Sequence, residues 1–252
     1  MHPQTYQMVA ARQDTYWFQL SRRAMSVSLL KRYGLVPGCR WLDLGCGPGG
    51  NLKMLDACQP ELVVGVDLSP IAMKYARSSG PGAALVQADI SHRLPFADGA
   101  FDLLTIFNVL HSDWVINESE TLAEVVRVLR PGGLALMTEP AFPVLAREMD
   151  AASMGSKRYR RGAFALLCRN AGLEVLFTSY FASFGFPILL TLKALKRIML
   201  RPRDAGLGVD MKPLHPLVNK FMHVLATIEA KAIVHGLQMP FGTTLVCVAR
   251  KT

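Results

Sequence analysis

The sequence predicts an α/β fold: a seven-stranded, mostly parallel sheet with helices on both of its faces. Short apolar runs alternate along the chain with segments of helical periodicity, and this alternation is typical of strands buried on both faces of a parallel sheet. A glycine-rich turn joins the first of these strands to the segment that follows it. The 252 residues, 51% hydrophobic and 19% charged, are enough for one compact domain of this class.

The predicted elements follow in order from the amino-terminal end. Apolar and aromatic side chains recur at helical spacing between Thr5 and Tyr33 and predict one or two helices, which Gly34 ends. A short buried strand then leads into the glycine turn at 45–50. The other strands are predicted at 62–67, 83–89, 101–110, 134–140, 173–181 and 243–250, and further helices at 51–58, 70–79, 119–129 and 161–171.

We therefore expect one domain, 1–252, made of four parts. Residues 1–35 form an N-terminal helical cap, and 36–181 form the core. Residues 182–242 are a mostly helical insertion of apolar and basic character, and 243–252 are the last strand.

The charge of the chain favours anionic partners without choosing among them. Its 28 Lys and Arg residues exceed its 19 Asp and Glu residues, for a formal net charge of +9. Such an excess favours anionic partners such as nucleic acid, phospholipid headgroups or phosphorylated substrates. The basic residues cluster at 157–161 and 193–203, so an anionic contact is expected there.

The cysteines and the apolar stretches favour a cytoplasmic setting. Five cysteines are widely spaced and form no CxxC pair, so the sequence predicts neither a disulfide framework nor a zinc site. The first residues, MHPQTYQMVAARQDTYW, lack the continuous apolar core of a signal peptide. The longest apolar stretches fall short of the ~20 residues that a membrane-spanning helix needs.

The glycine turn carries the first chemical signal. Gly45, Gly47 and Gly50 satisfy the pattern GxGxxG, which lets a ligand approach the backbone of a strand-to-helix turn. Asp43, two residues before the first glycine, argues against a dinucleotide, because its carboxylate would repel a pyrophosphate at the helix N-terminus. A ligand that carries an ammonium and a sulfonium group suits this acid better.

Two further acids end the next strands. Asp67 follows Gly45 by 22 residues and ends the second strand, where an acid can accept hydrogen bonds from both hydroxyls of a ribose. Asp89 ends the third strand and is placed to accept from the exocyclic amine of adenine. Together with Asp43 they are expected to line one crevice at the carboxyl edge of the sheet.

These motifs resemble the successive motifs of class I S-adenosylmethionine (SAM) methyltransferases, which have a Rossmann-like fold. The resemblance covers about residues 38–140 and rests on WLDLGCGPGG, GVDLSP, QADISHRLPFADGAFDLLTIFNVLH and VVRVLRPGGLALMTEP. It implies SAM as cofactor and S-adenosylhomocysteine as product. The cofactor-binding residues that it implies are Asp43, Gly45, Cys46 and Gly47 around the methionine part, Asp67 at the ribose, Leu68, Asp89 and Ile90 at the adenine, and Asn108 near the cofactor amine.

The C-terminal half is similar to an uncharacterised bacterial methyltransferase subfamily, often associated with envelope glycan or secondary-metabolite pathways. The likeness rests on PAFPVLAREMDAASMGSKRYRRGAFALLCRNAGLEV, LVNKF, Glu229 and PFGTTLVCVARK. That subfamily usually has a His where this chain has Gly155, so a role for that His is not carried over.

Catalysis by such an enzyme depends largely on alignment of the acceptor with the S–CH3 bond, in an in-line SN2 reaction, and needs a general base only where the acceptor must lose a proton. His111 is the first candidate for a base, because it follows the fourth strand at the mouth of the crevice. Glu139, Asp150 and Tyr159 are alternatives, and each of the four has a structural role as its competing interpretation. No metal is expected, since no cluster of carboxylate, His or Cys residues has ligand spacing.

The leading hypothesis is methylation of oxygen or nitrogen on a small-molecule, lipid-linked or glycan-linked acceptor. Aromatic residues Tyr16, Trp17 and Phe18 are either a lid over the cofactor or part of the core. The helix within 186–203, FPILLTLKALKRIMLRPR, is either a lid over the acceptor or an interfacial helix that makes a peripheral membrane contact. An RNA methyltransferase and a non-catalytic SAM-binding partner subunit are the alternatives. Nucleic acid is disfavoured by FNVLH after the fourth strand, where base-amine methyltransferases have an NPPY-like tetrapeptide.

Overall fold

A computed structural model describes residues 3–54, 56–79, 82–146, 155, 157–198 and 214–252. Seven strands form its centre: β1 (Arg40–Leu44), β2 (Leu62–Asp67), β3 (Ala84–Gln87), β4 (Phe101–Phe107), β5 (Leu129–Pro140), β6 (Leu173–Phe181) and β7 (Thr244–Lys251). The helices of the described residues are α1 (Pro3–Arg12), α2 (Trp17–Arg32), α3 (Pro70–Ser79), α4 (Glu118–Val128), α5 (Arg161–Asn170), α6 (Gly185–Ile198) and α7 (Pro216–Val234). The predicted fold class is confirmed.

The strands lie in the order β3-β2-β1-β4-β5-β7-β6. The five strands from β3 to β5 are parallel to one another, whereas β7 runs antiparallel to both of its neighbours. Leu44, the last residue of β1, is in register with Val66 of β2 and Ile106 of β4. The loops that follow these three strands therefore meet at one edge of the sheet, where open α/β sheets bind ligands.

Both faces of the sheet are covered by helices, because side chains alternate between faces along each strand. Trp41 of β1 packs in one core cluster with Leu29 of α2 and Ala230 of α7. Its neighbour Leu42 belongs to a second cluster, which contains Leu122 of α4 and residues of α5. The near-continuous apolar strands are thus explained by burial on two sides.

The α-helix predicted at 51–58 is not formed by the described residues of this segment, so this prediction is wrong. Their backbone hydrogen bonds run from Leu52 to Gly49 and from Met54 to Asn51. Each spans three residues, which is the pattern of turns and 3-10 helices, and Asp56–Cys58 forms one short 3-10 turn. A segment this short gains too few hydrogen bonds to offset the cost of helix nucleation.

Three strand boundaries differ from the prediction by two residues or more. The third strand ends at Gln87, two residues before Asp89, and the fourth ends at Phe107. The fifth begins at Leu129 rather than at 134, because Leu129 pairs with Phe101 of β4 ahead of a register shift. Asn117 caps the start of α4: its side chain accepts hydrogen bonds from the backbone N–H groups of Ser119 and Glu120, and such caps set where a helix begins.

The insertion predicted at 182–242 contains α6 and α7 in its described part. Helix α7 packs along α2, with Ala226, Ala230 and Ile233 buried. None of the described helices is long and apolar enough to cross a membrane.

Candidate functional site

A cleft of about 390 Å³ opens where the loops after β1, β2 and β4 meet. Its volume lies within the range of small-molecule and cofactor sites. The glycine loop between Gly45 and Asn51 lines it, together with the residues at the ends of β2 and β4. Tyr6 of α1, Arg22 of α2 and Gln13, which lies between the two helices, complete its wall. The predicted N-terminal helical cap therefore lies over the carboxyl edge of the sheet.

The glycine loop has the conformation that its sequence requires. Gly45 has a φ of +70°, and a Cβ there would stand 2.3 Å from Cγ2 of Val109, so only glycine fits. Gly47 also has a positive φ, of +54°, but a Cβ there would meet nothing within 4 Å. Its backbone consequently faces open space in the cleft. The N–H groups of Gly45 and Cys46 both donate to the carbonyl oxygen of Val66, which fixes the loop to β2.

Cys46 lies on the cleft wall by its backbone while its side chain is buried. The thiol packs with Leu52 and Met73, and burial raises its pKa. A protonated, buried thiol is a packing group rather than a nucleophile.

Asp67 joins the loops after β1 and β2. Its two carboxylate oxygens accept from the N–H of Gly47 at 2.8 Å and from the N–H of Ser69 at 2.9 Å. Burial raises the pKa of Asp67, while these two hydrogen bonds act in the opposite direction. Asp67 and Leu68 line the cleft, and Tyr6 of α1 hydrogen-bonds Ser69 beside them.

Asp43 lies behind the cleft wall and is only 1% exposed. One carboxylate oxygen accepts from Oγ1 of Thr105 at 2.6 Å, and Oδ2 has no hydrogen-bond partner among the described residues. Burial raises the pKa of Asp43 to about 7.

Of the three strand-end acids, only Asp67 is among the residues that line the cleft. The Asp89 carboxylate accepts from the N–H of Ser91 at 2.9 Å and lies 3.3 Å from Nδ1 of His92. Ile90 is buried in a core cluster. Strand β3 ends before Asp89, and the turn that follows uses this carboxylate. A contact of Asp89 with the adenine therefore stays a prediction.

The loop after β4 is held by Glu139, which lies near the end of β5. Glu139 is fully buried, and its carboxylate accepts from the backbone N–H groups of Val109, Leu110 and His111 at 3.0, 2.8 and 3.2 Å. It also lies 3.0 Å from Nδ1 of His111. Asn108, which lines the cleft, has a φ of +56°, a conformation that asparagine tolerates better than most residues.

His111 is not among the residues that line the cleft, but it follows Asn108 and Val109, which do. Because Glu139 accepts from Nδ1, the other ring nitrogen, Nε2, is left to accept a proton. That side of the ring faces Gly155, where a Cβ would stand 2.5 Å from Nε2. A larger residue at Gly155 would therefore displace the ring.

Tyr159 supports the same loop from behind. Its hydroxyl lies 3.0 Å from the carbonyl oxygen of Leu110 and 3.2 Å from Oε1 of Glu118, and burial raises its pKa strongly. Lys157 is also engaged, with its ammonium 2.7 Å from the carbonyl oxygen of Val115 and 3.0 Å from Glu118. Asp150, the remaining candidate base, lies outside the described residues.

Trp17 and Phe18 belong to the core, so the predicted aromatic lid is wrong for these two residues. Their rings pack against Phe184 and Phe181 at centroid distances of 5.4 and 5.9 Å, and both lie against the cluster under α2 and α7.

Arg22 of α2 is among the cleft residues that were not predicted as site residues. It is 3% exposed, and its guanidinium lies 4.8 Å from the ring centroid of Phe107. The sequence does contain a signal for it: Arg22 precedes Met25 and Leu29 at helical spacing, on the buried face of α2. No group of three or more His, Cys, Asp or Glu residues in the described part of the chain is placed to hold a metal ion.

The comparisons with known proteins decide the family of the central region. Residues 42–137 match the family model described as a methyltransferase domain. These residues form a methyltransferase domain. The matched range contains β1, β2 and β4 and the loops that line the cleft, and it confirms the family that the motifs resemble.

Curated relatives share this methyltransferase domain over part of their length. Trans-aconitate 2-methyltransferase from Methylobacterium nodulans is 36% identical over 124 residues, which are 49% of this chain and 46% of that protein. The chain spans about half the length of the first such relatives, 48% in one and 51% in another.

Solved structures show the same fold over nearly the whole chain. An S-adenosylmethionine-dependent methyltransferase from Mesorhizobium loti has a TM-score of 0.59 at 19% identity, over 89% of this chain and 96% of that one. A chain from the Haloferax volcanii complex of the Trm112 methyltransferase activator with a methyltransferase has a TM-score of 0.63 at 21% identity, over 97% and 96%. Beyond residues 42–137 the chain therefore shares the fold of these structures, one of which belongs to the SAM-dependent class of methyltransferases.

The residues around the cleft fit the cofactor of that class. The open space at Gly47 allows a ligand to approach the backbone. Unpartnered nitrogens of buried Arg22 suit a ligand with an anionic group at this end of the cleft, and the carboxylate of Asp67 suits hydroxyl donors at the other.

Proposed function

We propose that the protein is a SAM-dependent methyltransferase, which transfers a methyl group to oxygen or nitrogen of a small-molecule, lipid-linked or glycan-linked acceptor. The observation that supports this most directly is the cleft at the ends of β1, β2 and β4, with Asp67 on its wall, inside a methyltransferase domain.

The chain's own residues would bind and orient the cofactor. Asp67 is proposed to accept from the ribose hydroxyls, Leu68 to contact the adenine, and the loop from Gly45 to Gly47 to hold the methionine part. Asn108 is proposed to contact the amine through its backbone. Asp43, Asp89 and Ile90 would then act through the loops that they support, since they lie off the cleft wall.

The chemical step then depends on positioning. When bound, SAM supplies a methyl group that its sulfonium makes electrophilic. The loop after β4, fixed by Glu139, would set the position of the acceptor, and alignment of this kind can supply ~7–11 kcal/mol. Where the acceptor is a hydroxyl, we propose His111 as the base, with Nε2 taking the proton and Glu139 holding Nδ1.

Two exposed apolar surfaces support an anionic lipid surface as the docking partner. Helix α6 exposes Ile188, Leu192 and Leu195, and α7 exposes a stripe at the spacing i, i+4, i+7, i+11, formed by Leu217, Phe221, Val224 and Ile228. Exposed Lys220 and Lys231 flank the α7 stripe, and the net charge of +9 favours anionic headgroups. Lys193 contributes less than its sequence position suggests, because its ammonium donates to the carbonyl oxygens of Val144 and Ala146.

Calorimetric titration with S-adenosylhomocysteine and with NAD tests the proposed cofactor. We expect low-micromolar binding of the former and none of the latter. Asp67→Ala is expected to weaken binding at least tenfold, because each charge-assisted hydrogen bond contributes ~1.5–3 kcal/mol. Asp67→Asn, which keeps the shape of the side chain, should also weaken it.

Asp98→Ala is the matched control, because Asp98 is an exposed acid that pairs with Arg127 away from the cleft. Its affinity should equal that of the wild-type protein. Unchanged affinity in both Asp67 variants would reject the assignment of the site. Tight binding without turnover over a broad panel of acceptors would instead favour a non-catalytic partner subunit.

A further inference from the structure

Arg22 is a buried charge at the edge of the cleft. It lies on the inner face of α2, is 3% exposed and lines the cleft beside Asn51, at the end of the glycine loop. Burial lowers its pKa to about 10, so the guanidinium remains charged at neutral pH. A buried charge is costly unless it is paired and hydrogen-bonded.

The described residues accept hydrogen bonds from only one nitrogen of this guanidinium. Nη2 donates to Oε1 of Gln19 at 2.7 Å and lies 3.5 Å from Oδ1 of Asn51. Nε and Nη1 have no hydrogen-bond partner among the described residues. One face of the group lies over the ring of Phe107, which leaves its edge to donate.

The neighbouring acids do not complete the pairing. Asp43 and Glu139 are near enough to favour the charged form of Arg22, but neither accepts a hydrogen bond from it. Asp43 accepts from Thr105, and the Glu139 carboxylate is occupied by backbone N–H groups and by His111. The two free nitrogens of Arg22 therefore call for an anionic acceptor from outside the chain.

The position of Arg22 indicates which anion this is. Asp67 lies at the end of β2, whereas Asn51 and Phe107, the neighbours of Arg22, follow β1 and end β4. A ligand whose ribose contacts Asp67 and which crosses the glycine loop reaches Arg22 at its far end. On the proposed function, that end is the amino-acid part of SAM.

We infer that Arg22 binds the carboxylate of the amino-acid end of SAM and S-adenosylhomocysteine, donating from Nε and Nη1. This inference rests on the proposed function and adds to it the residue that distinguishes the complete cofactor from nucleosides without a carboxylate. A carboxylate on the acceptor has the same chemistry, so the experiment includes an arm for it.

The test compares two ligands in calorimetric titrations: S-adenosylhomocysteine, and 5′-methylthioadenosine, which keeps the nucleoside and lacks the amino-acid end. Arg22→Met keeps much of the apolar stem and removes the charge. We expect it to weaken S-adenosylhomocysteine binding about 10- to 100-fold and to leave the affinity for 5′-methylthioadenosine within about twofold. Arg22→Lys should give an intermediate loss, since it keeps the charge but not the fork of donors.

Arg32→Met is the matched control on the same helix, since Arg32 is exposed and donates to the carbonyl oxygen of Val234. It should bind both ligands as the wild-type protein does. Retained binding of 5′-methylthioadenosine by Arg22→Met also shows that the variant is folded.

The outcomes separate the inference from the function on which it rests. If Arg22→Met binds S-adenosylhomocysteine like the wild-type protein, the inference is overturned. An increase only in the KM of a carboxylate-bearing acceptor would overturn it in favour of the acceptor. If the wild-type protein binds neither S-adenosylhomocysteine nor 5′-methylthioadenosine, the proposed function itself fails, and the inference fails with it.

Discussion

Glu139 illustrates how the same residue type serves two different purposes. A carboxylate at the end of a central strand is a reasonable candidate base from sequence, yet here it accepts from three backbone N–H groups and lies against His111. A carboxylate with this many donors is held in place. Its contribution is to fix the loop that carries Asn108 and His111.

Substitutions of His111 and Glu139 are expected to separate the base from the loop anchor. For a hydroxyl acceptor, His111→Asn should lower kcat about 10²- to 10⁴-fold, the usual contribution of a general base, with little change in S-adenosylhomocysteine affinity. Glu139→Gln should lower both kcat and the affinity for S-adenosylhomocysteine. It removes an acceptor for the backbone N–H groups of the loop after β4, part of which lines the cleft. Steady-state kinetics and calorimetry measure the two effects. If both variants lose affinity and turnover to the same extent, His111 supports the loop and is not the base.

Asp43 predicts a pH dependence of folding stability. Its pKa in the folded protein, about 7, exceeds the usual value of 3.8, mainly because of burial. The folded state then holds a proton that the unfolded chain releases, so this contribution to stability is complete below pH ~4 and is lost as the pH rises through ~7. Arg22, Asp67 and Cys46 are the charged or titratable groups that interact with Asp43, and Thr105 donates a hydrogen bond to it.

Urea unfolding of the wild-type protein and of Asp43→Asn at pH 5 and pH 8 measures this effect. The asparagine keeps an acceptor for Thr105 but does not titrate. We expect the variant to gain stability relative to the wild-type protein as the pH rises. Parallel stabilities at the two pH values would show that Asp43 titrates normally.

At the scale of elements, α6 and α7 are the parts whose apolar residues are not accounted for by the core. The inner side of α7 packs on α2, while its outer stripe, from Leu217 to Ile228, is exposed. Helix α6 exposes three apolar residues at the spacing i, i+4, i+7 in the same way. These residues do not pack on the core, so a lid over an acceptor and an interfacial helix both stay predictions for α6. A contiguous exposed apolar surface is typical of an interaction site.

Co-sedimentation with phosphatidylglycerol vesicles tests the lipid contact. We expect binding at low salt that weakens at high salt, since each Lys or Arg near an anionic bilayer contributes ~1 kcal/mol. Replacing Phe221 and Ile228 by serine should reduce binding, whereas Leu166→Ser, on exposed α5 surface, should not. Protein that stays in the supernatant at both salt concentrations would refute the contact.

At the scale of the whole molecule, most of the fold follows from patterns that are local in the sequence. Helix 70–79 and strands 62–67 and 173–181 have their predicted bounds, because buried strands and amphipathic helices have different periodicities. The helix expected at 51–58 is not formed in the described part of that segment, since a glycine loop followed by a short apolar segment favours turns, whose hydrogen bonds here span three residues. The place of β7 between β5 and β6 was likewise decided by packing.

The sequence by itself determined the α/β class, the methyltransferase family of residues 42–137 and the edge of the sheet at which the cleft lies. Each depends on short-range information: apolar periodicity, glycines where the backbone needs a positive φ, and acids near strand ends. The tertiary structure decided which of those residues face the cleft. Asp43 and Asp89 are not among the residues that line it. The carboxylate of Glu139 binds a loop about 30 residues away in the chain. Arg22 contacts the glycine loop from 29 residues upstream. Such contacts depend on how whole elements pack, and no local pattern encodes them.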